Sequence, residues 1–425
     1  MNVFFPRKCM LTPMLKGQPD AIAIIGQGYV GLPLAMSAVK AGWKVFGVDL
    51  DVERVEKLRE GISPVEDILN KEVESASNRG LYEPTIDFGV LSQAKIVAIC
   101  VPTPLDNSLK PDLSMLRSAT MSIAPHLARG TLLVSESTSF PGTLRKFIIP
   151  LIMELEENKS KDLKFASAPE RVNPGDKVWN QSNTPRLVGG IDSESLESAV
   201  EFYQQICESV VTVSSPEIAE AAKLLENTFR LVNIALVDEL ARACSAADLS
   251  VYEVISAAST KPYGFMPFYP GVGIGGHCIP VDPSYLTSWA DTHGVSLDLT
   301  KAAGRVSRYM PTYVAQRALS LALGIANPKV LILGVAYKPG VADVRETPAS
   351  ELKKALEELG AQVFWHDPLV AKWEGSTSVD LNVNYDVAIL ATHQPSMQLN
   401  LLNNDLKPLL DCTNSKVIGK KVFNL

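Results

Sequence analysis

The sequence predicts an α/β fold of two doubly wound domains joined by a long helical connector, and three observations lead to this prediction. From residue 21 onward, short apolar runs alternate with segments of helical periodicity. Residues 217–259 then keep a 3.6-residue period and contain no proline. The strand–helix alternation resumes at Lys329 and continues towards the C-terminus. Apolar runs that alternate with helices are typical of parallel sheets covered on both faces.

The first domain is predicted to span residues 20–213, and residues 1–19 are interpreted as a flexible extension without the apolar run of a signal peptide. The predicted strands of the first domain are residues 21–25, 44–48, 96–101, 131–135, 164–166, 186–188 and 210–213. A helical central domain is expected over 214–310 and a second α/β domain over 311–425. Its predicted elements are strands 330–333, 362–365, 387–391 and 409–412 and a helix over 348–359.

Composition excludes several classes of protein. A chain of 425 residues is too long for one ordinary core, and 46% hydrophobic with 20% charged residues is typical of soluble globular proteins. A net charge of -7 argues against a nucleic-acid partner. No segment approaches the roughly 20 apolar residues of a membrane span. The six cysteines lack the short spacings of zinc sites or disulfide frameworks, so we expect a cytoplasmic protein with no metal site.

A glycine-rich turn, residues 26–31, lies between the first predicted strand and a helix. Gly26 permits the tight turn, Gly28 lets the backbone approach a pyrophosphate, and Gly31 lets the helix pack close to the strand. Asp49 ends the next strand, where a carboxylate accepts hydrogen bonds from ribose hydroxyls and repels a 2′-phosphate. The pattern predicts a Rossmann-like NAD site, with Arg54 flanking the adenosine. The alternatives are purely structural glycines, or Asp51 in the place of Asp49.

A second glycine-rich segment, residues 273–282, carries Cys278. A cysteine among apolar residues is often only core filler. Here the glycines let a ligand approach, and a thiolate is a strong nucleophile and a good leaving group. Beside a hydride acceptor, it would capture an aldehyde as a thiohemiacetal and, after a second oxidation, release the acid from a thioester.

Such chemistry needs donors for an oxyanion and a base for water. Lys223, Asn227 and Arg230 lie at i, i+4 and i+7 of the predicted connector, among apolar residues that suggest a largely buried helix. A partly exposed face or an internal polar network would explain this stripe equally well. The candidate bases and water-organising groups follow predicted strands or the cysteine loop: Glu170, Asp282 and Thr138.

Together these blocks resemble the UDP-glucose/GDP-mannose dehydrogenase family from about Asp20 to Leu425. The segments that carry the resemblance are GQGYVGLPLA, VPTPL, SESTSFPGT, APERVNPG, EAAKLLENTFRLVNIALVDEL, GVGIGGHCIPVDP and LGVAYKPGVADVRETPA. The family implies two Rossmann-like domains joined by a long helix that also forms a homodimer or a higher homo-oligomer. It implies a UDP-sugar site in the C-terminal domain, where Leu333-Gly334-Val335-Ala336-Tyr337 stands in place of a second dinucleotide fingerprint.

The resemblance also assigns roles to individual residues. Cys278 would be the nucleophile and Glu170 would act in thioester hydrolysis, while Lys223 and Asn227 hold the oxyanion and Asp282 and Thr138 organise water. The residues expected to contact the cofactor are Gly26, Gly28, Tyr29, Val30, Gly31, Asp49, Arg54, Thr103, Thr138 and Arg345. Those expected to contact the substrate are Glu170, Arg171, Lys223, Asn227, Arg230, Tyr269, Gly273, Gly275 and Lys338.

The sequence variants are most similar to the branch that acts on UDP-N-acetylhexosamines, with UDP-N-acetylglucosamine favoured. We therefore expect oxidation of the sugar to a uronic acid by two NAD⁺, for surface polysaccharide synthesis. UDP-N-acetylmannosamine and UDP-glucose remain alternative substrates. His277 would brace the cysteine loop or touch the sugar. More remote alternatives are a two-electron 3-hydroxyacid dehydrogenase and a non-catalytic NAD-sensing protein.

Overall fold

Two compact units, Met1–Leu225 and Glu226–Leu425, divide the chain. The structure, a computed structural model, describes residues 20–65, 67–156, 162–172, 178–276, 278–402, 406–415, 417, 419 and 421–425. Each unit is built on its own, mostly parallel β-sheet, and a long helix crosses the boundary between them. The predicted fold class is therefore confirmed.

The sheet of the first unit has eight strands in the order β3-β2-β1-β4-β5-β6-β7-β8. The strands are β1 Ala21–Ile25, β2 Lys44–Val48, β3 Tyr82–Thr85, β4 Ile96–Ile99, β5 Leu132–Ser135, β6 Lys164–Ser167, β7 Arg186–Gly190 and β8 Val210–Thr212. Strand β3 was not predicted, because Glu83 and Pro84 interrupt its apolar pattern. It lies at the edge of the sheet, pairs only with β2, and an edge strand tolerates a proline.

Alternate residues of the central strands enter two different cores. Ile22 and Ile24 of β1 belong to one buried cluster, and Ala23 and Ile25 belong to a second cluster. Successive side chains of a strand point to opposite faces, so both faces of this sheet are covered. This explains the continuous apolar runs of the sequence.

The order of the strands reverses beside β1. The chain passes from β1 to β2 and β3 on one side, and β4 then pairs with β1 on the other side. In open α/β sheets, ligands bind at the carboxyl ends of the strands next to such a reversal. The residues that follow β1, β2, β4, β5 and β6 therefore lie along the same edge of the sheet.

The sheet is parallel, as the apolar runs indicated, except at one pair, since β6 and β7 are antiparallel. The described residues between them, 168–172 and 178–185, are irregular or form bends and turns, and they contain no helix. A parallel pair needs a crossover connection, usually a helix, whereas an antiparallel pair does not.

The helices of the two units cover both sheets. The first unit contains α1 Gly31–Lys40, α2 Val52–Arg59, α3 Asn70–Asn78, α4 Ser114–Ile123, α5 Ile149–Leu155 and α6 Ser193–Ile206, with short turns at Phe88–Gln93 and Ala124–His126 and a π-helical turn at Leu144–Ile148. The connector helix, α7, is Pro216–Ala246, and it is followed by α8 Val251–Ala258, α9 Asp282–Thr292, α10 Asp298–Ser320 and α11 Pro348–Glu358. Within the described part of the chain, no helix is both long and apolar enough to span a membrane.

A single helix over 217–259 was therefore an incorrect prediction. Asp248 adopts the left-handed conformation, with φ of 54°. The side chain of Ser250 then caps the next helix by accepting a hydrogen bond from the N–H of Glu253. The left-handed residue ends one helix and the capping serine begins the next, although the helical periodicity of the sequence continues through both.

The second unit contains a parallel sheet of five strands in the order β10-β9-β13-β14-β15. The strands are β9 Lys329–Leu333, β10 Gln362–His366, β13 Val387–Leu390, β14 Leu409–Asp411 and β15 Val422–Asn424, beside a small hairpin of β11 Lys372–Trp373 and β12 Ser376–Thr377. Strand β15 and the hairpin were not predicted. The sheet order again reverses between β9 and β13, so this unit repeats the doubly wound plan.

Candidate active site

The glycine-rich turn after β1 is tightly enclosed at two of its three glycines. A Cβ on Gly31 would lie 1.8 Å from the carbonyl oxygen of Gly26, and a Cβ on Gly26 would lie 2.6 Å from that of Cys100. At Gly28, in contrast, no heavy atom of the described residues, apart from the glycine and its chain neighbours, lies within 4 Å of the Cβ position. Gly26 and Gly31 are thus required by packing, whereas Gly28 leaves an open surface at the N-terminus of α1, beside Tyr29 and Val30. This geometry fits a bound pyrophosphate.

Asp49 follows β2 and is already held in place by the protein. Its Oδ2 accepts hydrogen bonds from the backbone N–H of Gln27, at 2.7 Å, and from Nη1 of Arg54, at 2.9 Å. Asp51 instead caps α2 by accepting a hydrogen bond from the N–H of Arg54. Because β2 ends at Val48, Asp49 stands at the strand end and Asp51 has a structural role. The carboxylate expected to hold a ribose is therefore Asp49, and the sequence analysis overlooked that Gln27 ties it to the turn.

Thr103 and Thr138 meet beyond the carboxyl ends of β4 and β5. The hydroxyl of Thr103 donates to the carbonyl oxygen of Thr138, with 2.7 Å between the oxygens. Thr103 is buried and Thr138 is half-buried. Two residues predicted to contact the cofactor are therefore neighbours on the expected edge of the sheet.

Glu170 lies on the same edge, after β6, and both of its carboxylate oxygens have partners. Oε1 accepts hydrogen bonds from the N–H groups of Arg171 and Val172, each at 2.6 Å, and Oε2 accepts one from Nη2 of Arg186, at 2.6 Å. Burial acts to raise the pKa of Glu170, but Arg186, the N–H of Val172 and Lys223 outweigh it and lower the pKa. Glu170 is therefore ionised at neutral pH. Arg171 directs its Nη1 to the carbonyl oxygen of Pro185, at 2.8 Å.

The partner of Glu170 on the neighbouring strand, Arg186, was missed by sequence reasoning, as was Glu136 behind it. Arg186 Nη1 donates to Oε2 of Glu136 at 3.0 Å, and the hydroxyl of Tyr203 donates to Oε1 of Glu136. A signal existed in the sequence, since both charged residues border apolar strand runs. A charge at a buried strand position needs a partner of opposite charge.

The connector helix is continuous through Lys223, Asn227 and Arg230, as predicted. Their exposure increases along the helix, from the buried Lys223 through the half-buried Asn227 to the exposed Arg230. Most positions of the helix are buried or half-buried, as expected, but Leu225 and Leu236 are each 62% exposed. Lys223 belongs to the first unit, with Glu170, and Asn227 belongs to the second, with the cysteine loop.

Glu220, one turn before Lys223, was also missed. Its carboxylate accepts hydrogen bonds from the N–H of Gly142, at 2.6 Å, and of Leu144, at 3.1 Å. Burial raises the pKa of Glu220 to about 8. Glu220 thereby anchors the connector helix to the segment that follows Thr138.

In the second unit, Cys278 is exposed and lies four residues before Asp282, the first residue of α9. Its carbonyl oxygen accepts a hydrogen bond from the N–H of Asp282, at 2.8 Å. The buried carboxylate of Asp282 in turn accepts a hydrogen bond from Nδ2 of Asn227, at 2.5 Å. Three predicted catalytic residues are therefore brought together. His277 lies outside the described residues.

The glycines of the cysteine loop pack against other residues on the side where a Cβ would lie. A Cβ on Gly275 would lie 2.7 Å from Pro348 and 2.8 Å from Tyr337, and one on Gly273 would lie 3.2 Å from Pro348. The N–H of Gly276 donates to the carbonyl oxygen of Glu346 at 3.3 Å. The expectation that these glycines leave room for a ligand is therefore wrong on the side where a Cβ would lie, because protein atoms already occupy it. They let the loop lie directly on the 337–348 segment.

Lys338 and Arg345 belong to that segment. The ammonium group of Lys338 lies 5.6 Å from the centre of the Tyr337 ring, whose other contacts include the cysteine loop. Arg345 donates from Nε and Nη2 to the carboxylate of Asp343, at 2.9 and 2.6 Å. Lys338 is therefore a neighbour of the cysteine loop through Tyr337, which sequence analysis had not considered. Tyr269, another predicted substrate contact, is half-exposed.

The second unit has a carboxylate, Asp367, at the position that corresponds to Asp49 in the first unit, but its hydrogen bonds differ. Asp367, after β10, is buried and accepts hydrogen bonds from the N–H groups of Val335, Ala336 and Leu369 and from the Gln394 amide. Four donors among the described residues therefore surround the carboxylate of Asp367, against three at Asp49, so less of its acceptor capacity is left for a ribose. The absence of a second dinucleotide site stays a prediction.

Comparisons with known proteins match most of the chain. The UDP-glucose/GDP-mannose dehydrogenase family matches with its NAD binding domain over residues 20–207, its central domain over 217–309 and its UDP binding domain over 331–408. A UDP-N-acetyl-D-mannosamine dehydrogenase of Methanococcus aeolicus is 33% identical, over 94% of this chain and 90% of that protein. A UDP-N-acetyl-D-glucosamine 6-dehydrogenase of Pseudomonas aeruginosa is 34% identical, over 82% and 83%.

A solved structure shows the same agreement. The structure of UDP-D-ManNAc dehydrogenase from Pyrococcus horikoshii superimposes with a TM-score of 0.85 at 30% identity, over 95% of this chain and 98% of that chain. The chain therefore belongs to the UDP-glucose/GDP-mannose dehydrogenase family and is an NAD-dependent oxidoreductase.

Proposed function

We propose that this enzyme oxidises the C6 primary alcohol of a UDP-N-acetylhexosamine to a carboxylate, through a covalent intermediate on Cys278. The observation that carries the proposal is the position of Cys278, which is exposed, lies in the turn before α9 and accepts at its carbonyl oxygen a hydrogen bond from Asp282, the partner of Asn227. The names of the relatives from Methanococcus and Pseudomonas support the substrate class.

The chemistry balances as one alcohol, two NAD⁺ and one water giving one carboxylate, two NADH and three protons. NAD, which the glycine-rich turn and Asp49 would hold, would supply the hydride acceptor for both oxidations. Between them, the sulfur of Cys278 bonds to the aldehyde carbon, and the thiohemiacetal becomes a thioester when its C–H bond is lost. Water then adds to the thioester, the C–S bond breaks and the thiol of Cys278 is regenerated.

The remaining roles follow from charge. Lys223 and Asn227 would stabilise the oxygen that becomes negative when the thiolate or water adds. Glu170, ionised by its cationic neighbours, would take the proton of the attacking water. Asp282 would hold Asn227, and Thr138 would order water. Lys338 would bind the UDP group, with Arg345 near the cofactor.

The decisive experiment compares Cys278→Ser with the parent enzyme in excess NAD⁺ and a UDP-sugar. We expect the four-electron turnover of the variant to fall by more than a hundredfold, because an alkoxide is a poor leaving group at neutral pH. Cys244→Ala, which changes a buried cysteine of the second unit, is the matched control and should keep its turnover. Four-electron turnover of Cys278→Ser at the parent rate would overturn the covalent mechanism.

Initial rates on three UDP-sugars identify the substrate. We favour UDP-N-acetylglucosamine from the motif resemblance, and UDP-N-acetylmannosamine is the second candidate because the relatives from Methanococcus and Pyrococcus carry that name. A higher rate on UDP-glucose than on either would overturn the assignment to N-acetylhexosamines. Two NADH per sugar would exclude a two-electron 3-hydroxyacid dehydrogenase, and any turnover would exclude a non-catalytic NAD sensor.

We also propose a cytoplasmic homodimer, formed through the connector helix, that supplies surface polysaccharide synthesis. Leu225, Phe229 and Leu236 follow each other at spacings of four and seven residues on this helix, and all three are exposed. An exposed apolar stripe of this kind is typical of a protein interface. We expect Leu236→Glu to shift the mass measured by light scattering from dimer to monomer, and a monomeric parent enzyme would refute the assignment.

A further inference from the structure

Four side chains of the first unit form one buried polar chain behind the candidate base Glu170. In order they are Tyr203, Glu136, Arg186 and Glu170, joined by hydrogen bonds from Tyr203 to Glu136 and from Arg186 to both carboxylates. Arg186 and Glu136 are 2% and 1% exposed. Arg186 also donates to the carbonyl oxygen of Ala168, at 3.2 Å, so the guanidinium plane is fixed.

In this group of four side chains, the single positive charge of Arg186 faces two carboxylates. One guanidinium lies between two carboxylates; Lys223 lowers the pKa of Glu170 and is not among the main influences on Glu136. Among the described residues, the other titratable groups near Glu136 are the phenol of Tyr203 and the thiols of Cys100 and Cys207. Burial raises the pKa of each, so they stay neutral. A second buried carboxylate without a compensating cation raises the free energy of the folded state, and binding a proton removes this penalty.

The two carboxylates therefore differ in their affinity for a proton. Burial raises the pKa of Glu136 to about 7, against the opposing effect of Arg186, and the charge of Glu170 raises it further. The pKa of Glu170 is lowered instead, because Arg186, Lys223 and backbone N–H groups overcome its burial. Near neutral pH, Glu170 is ionised while Glu136 changes its charge.

We propose that Arg186 is a positioning residue for Glu170 and that Glu136, on the other side of the guanidinium, sets how strongly Glu170 binds a proton. This inference rests on the proposed role of Glu170 in hydrolysis of the thioester. Arg186 holds Oε2 of Glu170 while the backbone holds Oε1, so the carboxylate presents one fixed orientation. When Glu136 is protonated, Arg186 acts on Glu170 alone and makes it a weak base. When Glu136 is ionised, its charge offsets Arg186 and Glu170 becomes a stronger base.

In the hydrolysis step, Glu170 takes a proton from water as the water oxygen bonds to the thioester carbon. The C–S bond then breaks, and the proton on Glu170 passes to the departing thiolate. Atoms and electrons balance as thioester plus water giving acid plus thiol. The proton affinity of Glu170 therefore affects hydrolysis, whereas the two oxidations do not need Glu170 as the base for water.

The test measures thioester hydrolysis separately from oxidation, in single turnovers followed by NADH absorbance and by the intact mass of the enzyme. In the parent enzyme we expect the hydrolysis rate to rise about three- to tenfold across the titration of Glu136. Glu136→Gln keeps the shape of the side chain but cannot titrate, so the rise should disappear. Tyr203→Phe removes a hydrogen bond that lowers the pKa of Glu136, so the rise should move to higher pH.

Arg186→Lys tests the positioning role. We expect hydrolysis to slow by about tenfold or more, because the compact ammonium group of lysine lacks the planar fork with which Arg186 holds Glu136 through Nη1 and Glu170 through Nη2. The covalent adduct on Cys278 should accumulate while the first NADH forms at an unchanged rate. Asp238→Asn, which removes a buried carboxylate of the second unit, is the matched control and should leave the pH profile unchanged.

The inference is overturned if Glu136→Gln and Tyr203→Phe keep the parent pH profile of hydrolysis, or if Arg186→Lys hydrolyses the thioester at the parent rate. These results differ from a failure of the proposed function, in which the parent enzyme itself would form no adduct on Cys278. Thermal unfolding of each variant confirms that folded enzymes are compared.

Discussion

Asp238 on the connector helix gives a quantitative prediction of how stability depends on pH. Its carboxylate is fully buried, and its one hydrogen bond among the described residues is from the N–H of Gly271, at 3.4 Å, while Oδ2 has none. The titratable side chain facing it is Tyr252, whose pKa burial raises. Burial likewise raises the pKa of Asp238 from 3.8 to about 7.

The magnitude follows from linkage between proton binding and folding. The difference between 3.8 and about 7 corresponds to about 4 kcal/mol of preference for the protonated form in the folded state. Because the folded state raises the pKa, this stabilisation is complete below the unfolded pKa and is lost as the pH rises through about 7. Between about pH 5 and pH 8, the parent enzyme should lose about 2.5 kcal/mol of unfolding free energy through this group.

Asp238→Asn removes the titration and nearly keeps the shape. We expect the unfolding free energy of the variant, relative to the parent, to increase by about 2.5 kcal/mol from about pH 5 to about pH 8. Urea unfolding followed by tryptophan fluorescence measures this difference. Asp248→Asn, the same change at an exposed position with a left-handed backbone, is the control and should show no such trend. A parent–variant difference that is constant with pH would refute the reasoning.

Three further predictions concern the sites. Asp49→Ala should weaken NAD binding about tenfold and reduce the preference for NAD over NADP, measured by calorimetry; an unchanged ratio of the two affinities would contradict the role of this carboxylate. Gly275→Ala should lower kcat at least tenfold while NAD binding is kept, because its Cβ would collide with protein at 2.7 Å, whereas Gly304→Ala, facing only the flexible end of an arginine, should be nearly neutral. Asn227→Ala should leave the buried carboxylate of Asp282 without this donor and lower the melting temperature as well as kcat; an unchanged melting temperature would argue against the pair as a structural contact.

The local parts of the fold and of the site could be predicted from the sequence because they depend on neighbouring residues. The turn at 26–31, the acid after β2 and the exposed cysteine before a helix are each encoded within a few residues. Apolar runs also predicted most strands to within one or two residues. These features need only the steric demands of glycine, helix periodicity and the burial of apolar side chains.

Only the tertiary structure decided which charged groups meet. Arg186 is 50 residues from Glu136 and 16 from Glu170 in the sequence, and sheet order makes them neighbours. The antiparallel β7 places Arg186 at the carboxyl edge of β5 and β6, a direction that the apolar pattern of its strand does not encode. The packing of the cysteine loop against Tyr337 and Pro348 depends likewise on contacts between distant segments. The sequence shows that a charged residue at a buried position needs a partner, but the order and direction of the strands determine which residue that partner is.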